Sequence, residues 1–386
     1  MFDPPPVSRI YQARAWTISY NVVSSYRFGP NSTNRVRRTT VADARFLLWN
    51  VEWMNDLFVS VEDDDDPAEF RPDGDKPAHS QDATVRQRRD DLSGVLDELE
   101  ADVVVAVEGP NRTGELQLFF DEDVEGEWQT WVQPSKGSAQ CIGVAVRVDG
   151  GGFADPPFEP FDTQDMAVFD AFLNDADDDG IDENYAFERR PLYVQVNPAE
   201  GSSFRVLGLH LKSKGIFGAY EWSKWWQIAD ANRRKILAQA TQVRLGFLDP
   251  YMTDAQTKDV PLIVCGDIND GPGLDANEKK FFGSGIERLM GTVWRPELCL
   301  RNAIFESLPE EKRAELDFEA ISTTSFQDPI FNNTWHSEWI DHVLHTGSEP
   351  WVTNASVHEE MPDGAPIWRK YPHASDHYPI SVTVST

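Results

Sequence analysis

A series of short polar motifs carries the side chains that could do chemistry in this chain. Carboxylate oxygens suit a hard cation such as Mg²⁺, which takes one or two carboxylates and keeps several waters. Histidine and amide groups can donate hydrogen bonds to a phosphate, and a carboxylate with no metal to hold can orient a water. The motifs are Trp49-Asn50-Val51-Glu52, Val107-Glu108-Gly109, His210-Leu211-Lys212-Ser213, Gly266-Asp267-Ile268-Asn269-Asp270, Ile340-Asp341-His342 and Ser375-Asp376-His377. As a set they indicate metal-assisted hydrolysis of a phosphoester.

Each motif taken alone has a simpler explanation. A lone histidine in Gly208-Leu209-His210-Leu211 is more often a core residue than a catalyst. A Gly-Asp-x-Asn segment caps backbone groups at many strand-to-turn junctions. The indication of chemistry comes from their order and from their shared position at or beside the ends of apolar runs, since a carboxylate inside a sheet core would be costly.

The elements that must position these motifs alternate between strands and helices. Apolar residues at three- and four-residue spacing predict a helix over Thr84–Glu100, and a longer helix is predicted over 219–248. Together these patterns favour one elaborated α/β domain. The predicted strands are Phe46–Trp49, Asp102–Val107, Ile142–Val148, Leu192–Val196, Phe204–Leu211, Val260–Cys265, Ile340–His345 and Ile380–Val384.

The domain prediction divides the chain into an arginine-rich extension, 1–45, and a catalytic domain, 46–386. The extension holds seven arginines and two aspartates, a net charge of +5, whereas the whole chain carries −30. Residues 61–82 and 149–188 are charged and rich in proline and glycine, so both are predicted to be loop insertions.

The motif series resembles the endonuclease/exonuclease/phosphatase superfamily, which has the DNase-I-like fold, over roughly residues 45 to 384. The resemblance implies a four-layer α/β/β/α sandwich, in which two mixed β-sheets pack face to face with helices outside. It also implies a hydrolase that needs Mg²⁺ or Mn²⁺ and acts on a phosphodiester substrate.

The resemblance assigns a role to each motif residue. Glu108 matches the metal-binding glutamate, Asp376 an aspartate on the metal side, and Glu52 a second acidic ligand found in some members. The expected catalytic residues are His210, Asp267, Asn269, Asp341 and His377. Among them, Asp267 and Asn269 match the pair that orients water and binds phosphate, and Asp341 matches the aspartate that holds His377.

The expected phosphate-binding residues are Asn50, Arg190 and Lys212. A bidentate guanidinium suits phosphate oxygens, but Arg189 is adjacent to Arg190 and offers the same group. Lys212 has an alternative role as a lysine whose stem covers apolar surface. Histidines 342 and 345 are predicted to be structural, because His342 should point to the face opposite Asp341.

A second metal site is a hypothesis for the loop Asp175-Ala-Asp177-Asp-Asp179-Gly180. Its acids at positions 1, 3 and 5 and its glycine at position 6 match the start of a Ca²⁺ loop. Position 12 is Ala186, which supplies no bidentate carboxylate. The pattern therefore argues against an EF-hand, and Asp182, Glu183 or Glu188 would have to complete the site. The alternative is a solvated acidic loop.

The substrate stays open at this level. A nuclease is the first expectation, a lipid-headgroup or inositol-phosphate phosphoesterase the second, and a catalytically inactive binding module the alternative of another class. The charge of −30 opposes strong non-specific DNA binding. No apolar run reaches the roughly 20 residues that span a bilayer, and no protein partner is evident. A cytoplasmic location is the default expectation, with secretion expected if a leader has been removed.

Overall fold

Continuous apolar runs give the central strands two buried faces, and this pattern builds the layers of the fold. The computed structural model describes residues 43–60, 66–80, 82–135, 140–216, 221–273, 275, 278–314, 318–328 and 332–385. The strands in these ranges are β1 (Ala44–Asn50), β2 (Val103–Gly109), β3 (Trp128–Val132), β4 (Cys141–Arg147), β5 (Phe153–Pro160), β6 (Phe172–Asn174), β7 (Glu183–Tyr185), β8 (Leu192–Pro198), β9 (Phe204–His210), β10 (Leu262–Asp267), β11 (Arg301–Asn302), β12 (Thr324–Asp328), β13 (Thr334–Glu338), β14 (Asp341–His345), β15 (Val352–Val357) and β16 (Ile380–Val384).

The strands form two large mixed sheets and two small hairpins. The first sheet has the order β15-β16-β1-β2-β4-β3, and the second has the order β11-β14-β10-β9-β8-β5. Parallel pairs occur in both, β1 with β2 and β9 with β10, while their other neighbours are antiparallel. The pairs β12-β13 and β6-β7 stand apart from these sheets.

The longer helices cover the outer faces of the two sheets, whereas the short helix Ala303–Ser307 contributes to the core between them. They are α1 (Val85–Leu99), α2 (Thr113–Asp123), α3 (Trp222–Gln242), α4 (Asp249–Thr253), α5 (Glu278–Phe281), α6 (Gly285–Met290), α7 (Ala303–Ser307), α8 (Glu310–Ala314) and α9 (Ile367–Lys370), with a π-helical segment, Val243–Leu248, between α3 and α4. The helix predicted over Thr84–Glu100 is confirmed as α1, which Thr84 and Gln87 begin with a capping box. Within the described residues, no helix is long and apolar enough to cross a bilayer.

Three hydrophobic cores separate the layers. Phe46 and Leu48 of β1 face the second sheet, where they pack with residues such as Val206 and Cys265. The alternate residues Leu47 and Trp49 face α1 and α2 in the outer core of the first sheet. A third core lies between the second sheet and α3, α4 and α6. The order helix, sheet, sheet, helix confirms the predicted four-layer α/β/β/α sandwich.

Two sequence expectations need correction in detail. Residues 149–188 are not one loop, because β5 forms the edge of the second sheet and β6 pairs with β7. Prolines 156, 157 and 160 concealed β5, since proline cannot donate to a ladder and strands tolerate it mainly at sheet edges. The long helix begins at Trp222 within the described residues, and residues 217–220 lie outside them.

The domain division stays a prediction. Residues 1–42 of the arginine-rich extension lie outside the described residues, as do residues 61–65 and 81 of the first insertion. Arg45, counted with the extension, belongs to β1 and pairs with Thr383 of β16.

Candidate active site

Strand register places three of the predicted residues side by side in the second sheet. Asp267, the last residue of β10, pairs with His210 at the end of β9 and with Asp341 at the start of β14. All three side chains are buried, with exposures of 2 to 4%. The polar row therefore forms where the apolar part of each strand stops.

The first sheet supplies the facing half of the site. Asn50 ends β1 and pairs with Val107 of β2, the residue before Glu108. The Nδ2 of Asn50 donates to Glu108 Oε1 at 3.3 Å and to Asp267 Oδ2 at 3.1 Å. Asn50 thus connects a carboxylate of its own sheet to a carboxylate of the other sheet, and its Oδ1 accepts from the backbone N of Glu52 at 3.0 Å.

Unusual backbone geometry aims these groups at one point. Glu52, Glu108 and Asn269 have φ angles of 48°, 57° and 56°, in the left-handed region that few non-glycine residues adopt. Such strained residues cluster at functional sites. Gly266 precedes Asp267 with φ 141°, and a Cβ there would lie 1.9 Å from the carbonyl oxygen of Leu209. Only glycine fits at this position.

His377 approaches the row from the loop before β16. Its Nδ1 lies 2.7 Å from Asp341 Oδ2, and its Nε2 lies 3.5 Å from Asn50 Nδ2. The loop is fixed by Trp49 Nε1, which donates to the His377 carbonyl at 3.0 Å. Burial alone would lower the pKa of His377, but the negative charge and hydrogen bond of Asp341 outweigh it, so this pKa lies well above its ordinary value. The Asp341 carboxylate thus favours the protonated form of His377.

His210 has the opposite electrostatic character. Its Nε2 lies 3.7 Å from both Glu108 Oε1 and Asp267 Oδ2. Burial, reinforced by the charges of Arg189 and His377, holds the pKa of His210 well below its ordinary value. The neutral ring can donate one hydrogen bond, but it is a poor general acid. Its Nδ1 is buried and has no hydrogen-bond partner among the described residues.

The pKa of the Asp267 carboxyl group is strongly raised by its surroundings. Burial, followed by the negative charge of Asp341, raises the pKa of Asp267 to about 8. Its Oδ1 accepts from the backbone N of Asn269 at 2.8 Å, while Asn269 Nδ2 donates to the Leu211 carbonyl at 3.2 Å. Asn269 thereby connects the loop after β10 to the end of β9, and one of its amide hydrogens remains available.

The carboxylates predicted to hold metal lie around Glu108. Burial raises the pKa of Glu108, and the nearby charge of Asp376 raises it further. Burial and Asp376 likewise raise the pKa of Glu52 to about 7, although Arg88 opposes the change. Asp376 lies 3.8 Å from His377 Nε2 and keeps 42% of its side chain exposed. Three carboxylates are thus close enough to destabilise one another's charge.

This donor set fits a hard dication. Oxygen ligands are those that Mg²⁺ prefers. The pKa values of Glu52, Glu108 and Asp267 are raised mainly by burial and further by neighbouring negative charges, both of which a bound cation would offset. Among the described residues, two groups of possible ligands at this site have donor atoms within 4.8 Å of one another, namely Glu108, His210 and Asp267, and Asp267, Asp341 and His377. Glu108 is the one predicted metal ligand that belongs to such a group.

Two contributors were missed or misassigned from sequence. Gln140 is 4% exposed, donates through Nε2 to Glu108 Oε2 and accepts from Arg189 Nη2. Arg190 instead directs its guanidinium to Asp170 at 2.6 Å and to the Thr163 carbonyl at 3.3 Å. Arg189 is therefore the arginine that reaches the site. Sequence alone could not distinguish Arg189 from Arg190, because both precede β8 and the start of that strand was not known.

Lys212 lies at the rim of the site, half-buried. Its positive charge contributes to the lowered pKa of His210, and burial lowers its own pKa while Glu188 opposes that change. Its role in phosphate binding stays a prediction.

Histidines 342 and 345 are buried away from this point. His342 Nε2 lies 2.9 Å from the Asp270 carbonyl, and His345 Nε2 lies 3.3 Å from Glu306. Both environments match the predicted structural role.

The acidic loop at 175–183 has partners from the protein itself. Asp175 accepts from the backbone N of Asp179 and of Gly180, at 3.0 and 2.8 Å. Arg234 Nη1 lies 3.3 Å from Asp177 and 2.9 Å from Glu183. Although Asp175, Asp177 and Asp179 bring oxygens within 4.8 Å of one another, a guanidinium already neutralises part of the cluster.

Comparisons with known proteins add structural likeness at low identity. No protein-family model matches the sequence, and no curated protein matches it. The chain is similar to the human Nocturnin catalytic domain with bound sulfate anion, with 14% identity, coverage of 89% of this chain and 93% of that chain, and a TM-score of 0.46. It is also similar to D. rerio TDP2 complexed with a single-strand DNA product, with 13% identity, coverage of 89% and 100%, and a TM-score of 0.43.

A third similar solved structure comes from a bacterial protein. It is an endonuclease/exonuclease/phosphatase family protein from Bacteroides thetaiotaomicron, with 12% identity, coverage of 89% of this chain and 95% of that chain, and a TM-score of 0.45. At such TM-scores the likeness carries no conclusion about chemistry, which must come from the site itself.

Proposed function

We propose that this chain is a divalent-metal-dependent phosphodiesterase, and within that class a nuclease, in which Asp267 activates the attacking water. The observation that carries the proposal is the position of Asn50, whose amide contacts Glu108 and Asp267 from opposite sheets and lies 3.5 Å from His377. Carboxylate, amide and imidazole groups from both sheets thus converge around Asn50, as hydrolysis of a phosphodiester requires.

Asp267 is the candidate general base. A base works best when its pKa lies near the working pH, and burial raises the pKa of Asp267 to about 8. The backbone N of Asn269 holds one carboxylate oxygen, and Asn50 holds the other. The carboxylate is thus oriented before the substrate arrives.

Three cationic or neutral donors surround the same point. Asp341 orients His377 and favours its protonated form, burial favours the neutral form of His210, and Arg189 is linked to Glu108 through Gln140. Donors fixed in advance around developing negative charge contribute about 3–4 kcal/mol each to rate enhancement. We also assign to His377 the transfer of a proton to the leaving oxygen.

Glu108, with Asp376 and Glu52, would hold the metal. A bound Mg²⁺ or Mn²⁺ polarises a phosphoryl oxygen and neutralises its charge. Glu52 is oriented for this task by Arg88, whose Nη1 lies 3.3 Å from its carboxylate.

A nuclease is favoured over an inositol-phosphate phosphatase by the small number of basic groups. A polyphosphorylated ligand needs several cations around the reacting phosphate. Here Arg189 and Lys212 border the site, and Arg88 is already engaged with Ser80, Glu52 and the Val51 carbonyl. One reacting phosphodiester is better matched to this set than a crowded polyanion.

The test is Mg²⁺-dependent release of 4-nitrophenol from bis(4-nitrophenyl) phosphate, with and without EDTA. Asp267→Ala and His377→Ala should lower turnover at least about a hundredfold, while the matched exposed control Asp259→Asn keeps it. A panel of plasmid, single-stranded DNA, RNA, sphingomyelin and inositol phosphates then assigns the substrate. Inactivity on every phosphoester would favour a binding module instead, and near-wild-type turnover in Asp267→Ala would refute the assignment of the base.

A further inference from the structure

An aromatic cleft opens directly beside the candidate active site. It has a volume of ≈ 540 Å³, and its lining includes Glu52 and Asp376, two of the proposed metal-side carboxylates. Trp335 and Trp368 also line the cleft, with 60% and 56% of their surface exposed. Two large rings left open to water next to a reactive centre indicate a surface that a ligand covers.

Trp335 is held at this cleft by the base of its hairpin. In β12, the backbone N of Ser325 donates to the Asp376 carbonyl at 3.0 Å, and Thr324 Oγ1 donates to the same oxygen at 2.8 Å. Thr324 also forms a bridge with His377. The hairpin is therefore attached to the loop that carries the catalytic imidazole.

The two faces of the hairpin differ in their aromatic contacts. Phe326 and His336 are cross-strand partners and stack on each other with centroids 5.8 Å apart. Trp335 is the neighbour of His336 and points to the opposite face, across from Gln327. Phe326 and His336 therefore pack on each other on one face of the hairpin, while the indole of Trp335 lies on the other face and lines the cleft.

Trp368 stands on a short helix that is fixed underneath. Its neighbour in α9, Ile367, is 4% exposed and belongs to the outer core of the first sheet. Tyr371, just after the helix, donates through its hydroxyl to Glu98 at 2.5 Å. The exposed indole is thus presented from a rigid support, with the Arg369 guanidinium 5.0 Å from its ring.

The charges of the cleft oppose a phosphate-rich ligand. Glu52, Asp82 and Asp376 contribute carboxylates, whereas Arg88 is the one guanidinium among its described lining residues and already binds protein oxygens. The lining histidines His79 and His373 lie 2.9 and 3.6 Å from Asp56 and Asp82. The hydroxyl groups of Ser325 and Tyr378 offer donors and acceptors. An uncharged planar group with polar edges fits this surface, and an acyl chain would desolvate those carboxylates at a cost.

We propose that this cleft binds a nucleobase by stacking on Trp335 and Trp368, while the phosphate of the same nucleotide reacts at the candidate active site. The inference rests on the proposed phosphodiesterase function and specifies its substrate class. Base–aromatic stacking tolerates every base, because each has a π-face. The enzyme therefore selects nucleotides over other phosphodiesters without reading sequence.

The test uses two esters that release the same leaving group, thymidine 5′-(4-nitrophenyl phosphate) and methyl 4-nitrophenyl phosphate. We expect the wild-type protein to prefer the nucleoside ester in kcat/KM by about tenfold or more, since stacking is worth about 1–3 kcal/mol per base. Trp335→Ala and Trp368→Ala should each lower kcat/KM for the nucleoside ester by about fivefold or more and change the methyl ester by less than about twofold. Trp335→Phe should retain most of the preference, and Trp294→Ala, at an 89% exposed tryptophan outside the cleft, should retain all of it.

The outcomes that overturn the inference are distinct from failure of the proposed function. Equal losses on both esters would show a structural role for the tryptophans, and no loss on either would remove the stacking surface. An equal preference for a cyclohexylmethyl ester, abolished by the same variants, would show an apolar or lipid subsite instead. If the wild-type protein hydrolyses neither ester, the proposed function fails, and calorimetry with thymidine 5′-monophosphate decides the cleft alone: binding lost in Trp335→Ala supports it, and absence of binding overturns it.

Discussion

Asp341 Oδ2 lies 2.7 Å from His377 Nδ1, and this contact joins the first residue of β14 to the loop before β16. It connects groups 36 residues apart and gives the imidazole its charge, since the negative carboxylate outweighs the effect of burial on the pKa of His377. The other oxygen of Asp341 is buried without a hydrogen-bond partner among the described residues. We therefore propose that Asp341 acts by orienting His377.

Asp341→Asn should lower kcat about 10- to 100-fold, as loss of a supporting carboxylate typically does. The pKa of His377 should fall in the variant, and NMR titration of the ring measures this directly. Because the folded pKa of His377 is raised, the pair stabilises the fold fully below the unfolded value of about 6.5 and loses that contribution as pH rises through the folded pKa. The stability difference between wild type and variant should shrink accordingly at alkaline pH. An unchanged His377 titration would contradict the coupling.

Asp267→Asn separates the chemical role of the base from its electrostatic cost. The folded pKa of Asp267 is raised from 3.8 to about 8, so ionisation costs stability as pH rises from the unfolded value to the folded one. Without metal at pH 8 or above, the variant should melt higher than wild type by roughly 5 °C, and its turnover should fall at least about a hundredfold. Thermal melts with EDTA, alongside Asp259→Asn, measure the first effect. A variant both less stable and active would remove Asp267 from the base role.

The acid limb of the pH–rate profile should shift with metal concentration. Asp267 and Glu52 have pKa values raised to about 8 and about 7, with burial as the largest cause. A dication held beside them favours their ionised forms and lowers both values. The pH at which kcat/KM reaches half its plateau should therefore fall as Mg²⁺ increases. A limb that stays fixed over a hundredfold range of Mg²⁺ would show that these carboxylates do not face the ion.

The sequence was sufficient for those parts of the site whose position follows from strand ends. Asn50, Glu108, His210 and Asp267 each follow an apolar run, and parallel pairing brings such ends to one edge. Gln140 gave no comparable signal, because its role depends on a φ of 70° and on the position of a loop relative to Glu108.

The layered fold could likewise be expected from apolar strand runs that alternate with helical patterns, but the strands β5 and β13 could not. In β5 the prolines conceal the strand, and in β13 every residue is exposed, so neither shows the pattern of a half-buried strand. The hairpin that carries Trp335 is consequently visible only in the structure. This separate hairpin, and not an edge of either large sheet, contributes Trp335 to the aromatic cleft.

Calcium binding at the 175–183 loop remains a hypothesis, and Arg234 supplies its test. Ca²⁺ must compete with the guanidinium for Asp177 and Glu183. Calorimetry should therefore show weak heat in the wild-type protein, tighter binding in Arg234→Gln, and none in the double variant Asp175→Ala/Asp177→Ala. Equal heats in all three proteins, or none in any, would remove the site.

Arg189 and Arg190 form a matched pair for the phosphate role. Arg189 reaches the site through Gln140 and lowers the pKa of His210 by its charge, second to burial. Arg190 forms an ion pair with Asp170, whose side chain is 55% exposed, and such pairs contribute about 0–1 kcal/mol to stability. Arg189→Ala should thus lower kcat/KM on bis(4-nitrophenyl) phosphate by about 10- to 100-fold, whereas Arg190→Ala should change it by less than about threefold. Arg189→Lys should recover part of the loss, because lysine restores the charge but not the two-pronged geometry. If Arg190→Ala proved the more damaging change, the loop before β8 would have to turn on substrate binding, and the assignment of Arg189 would be wrong.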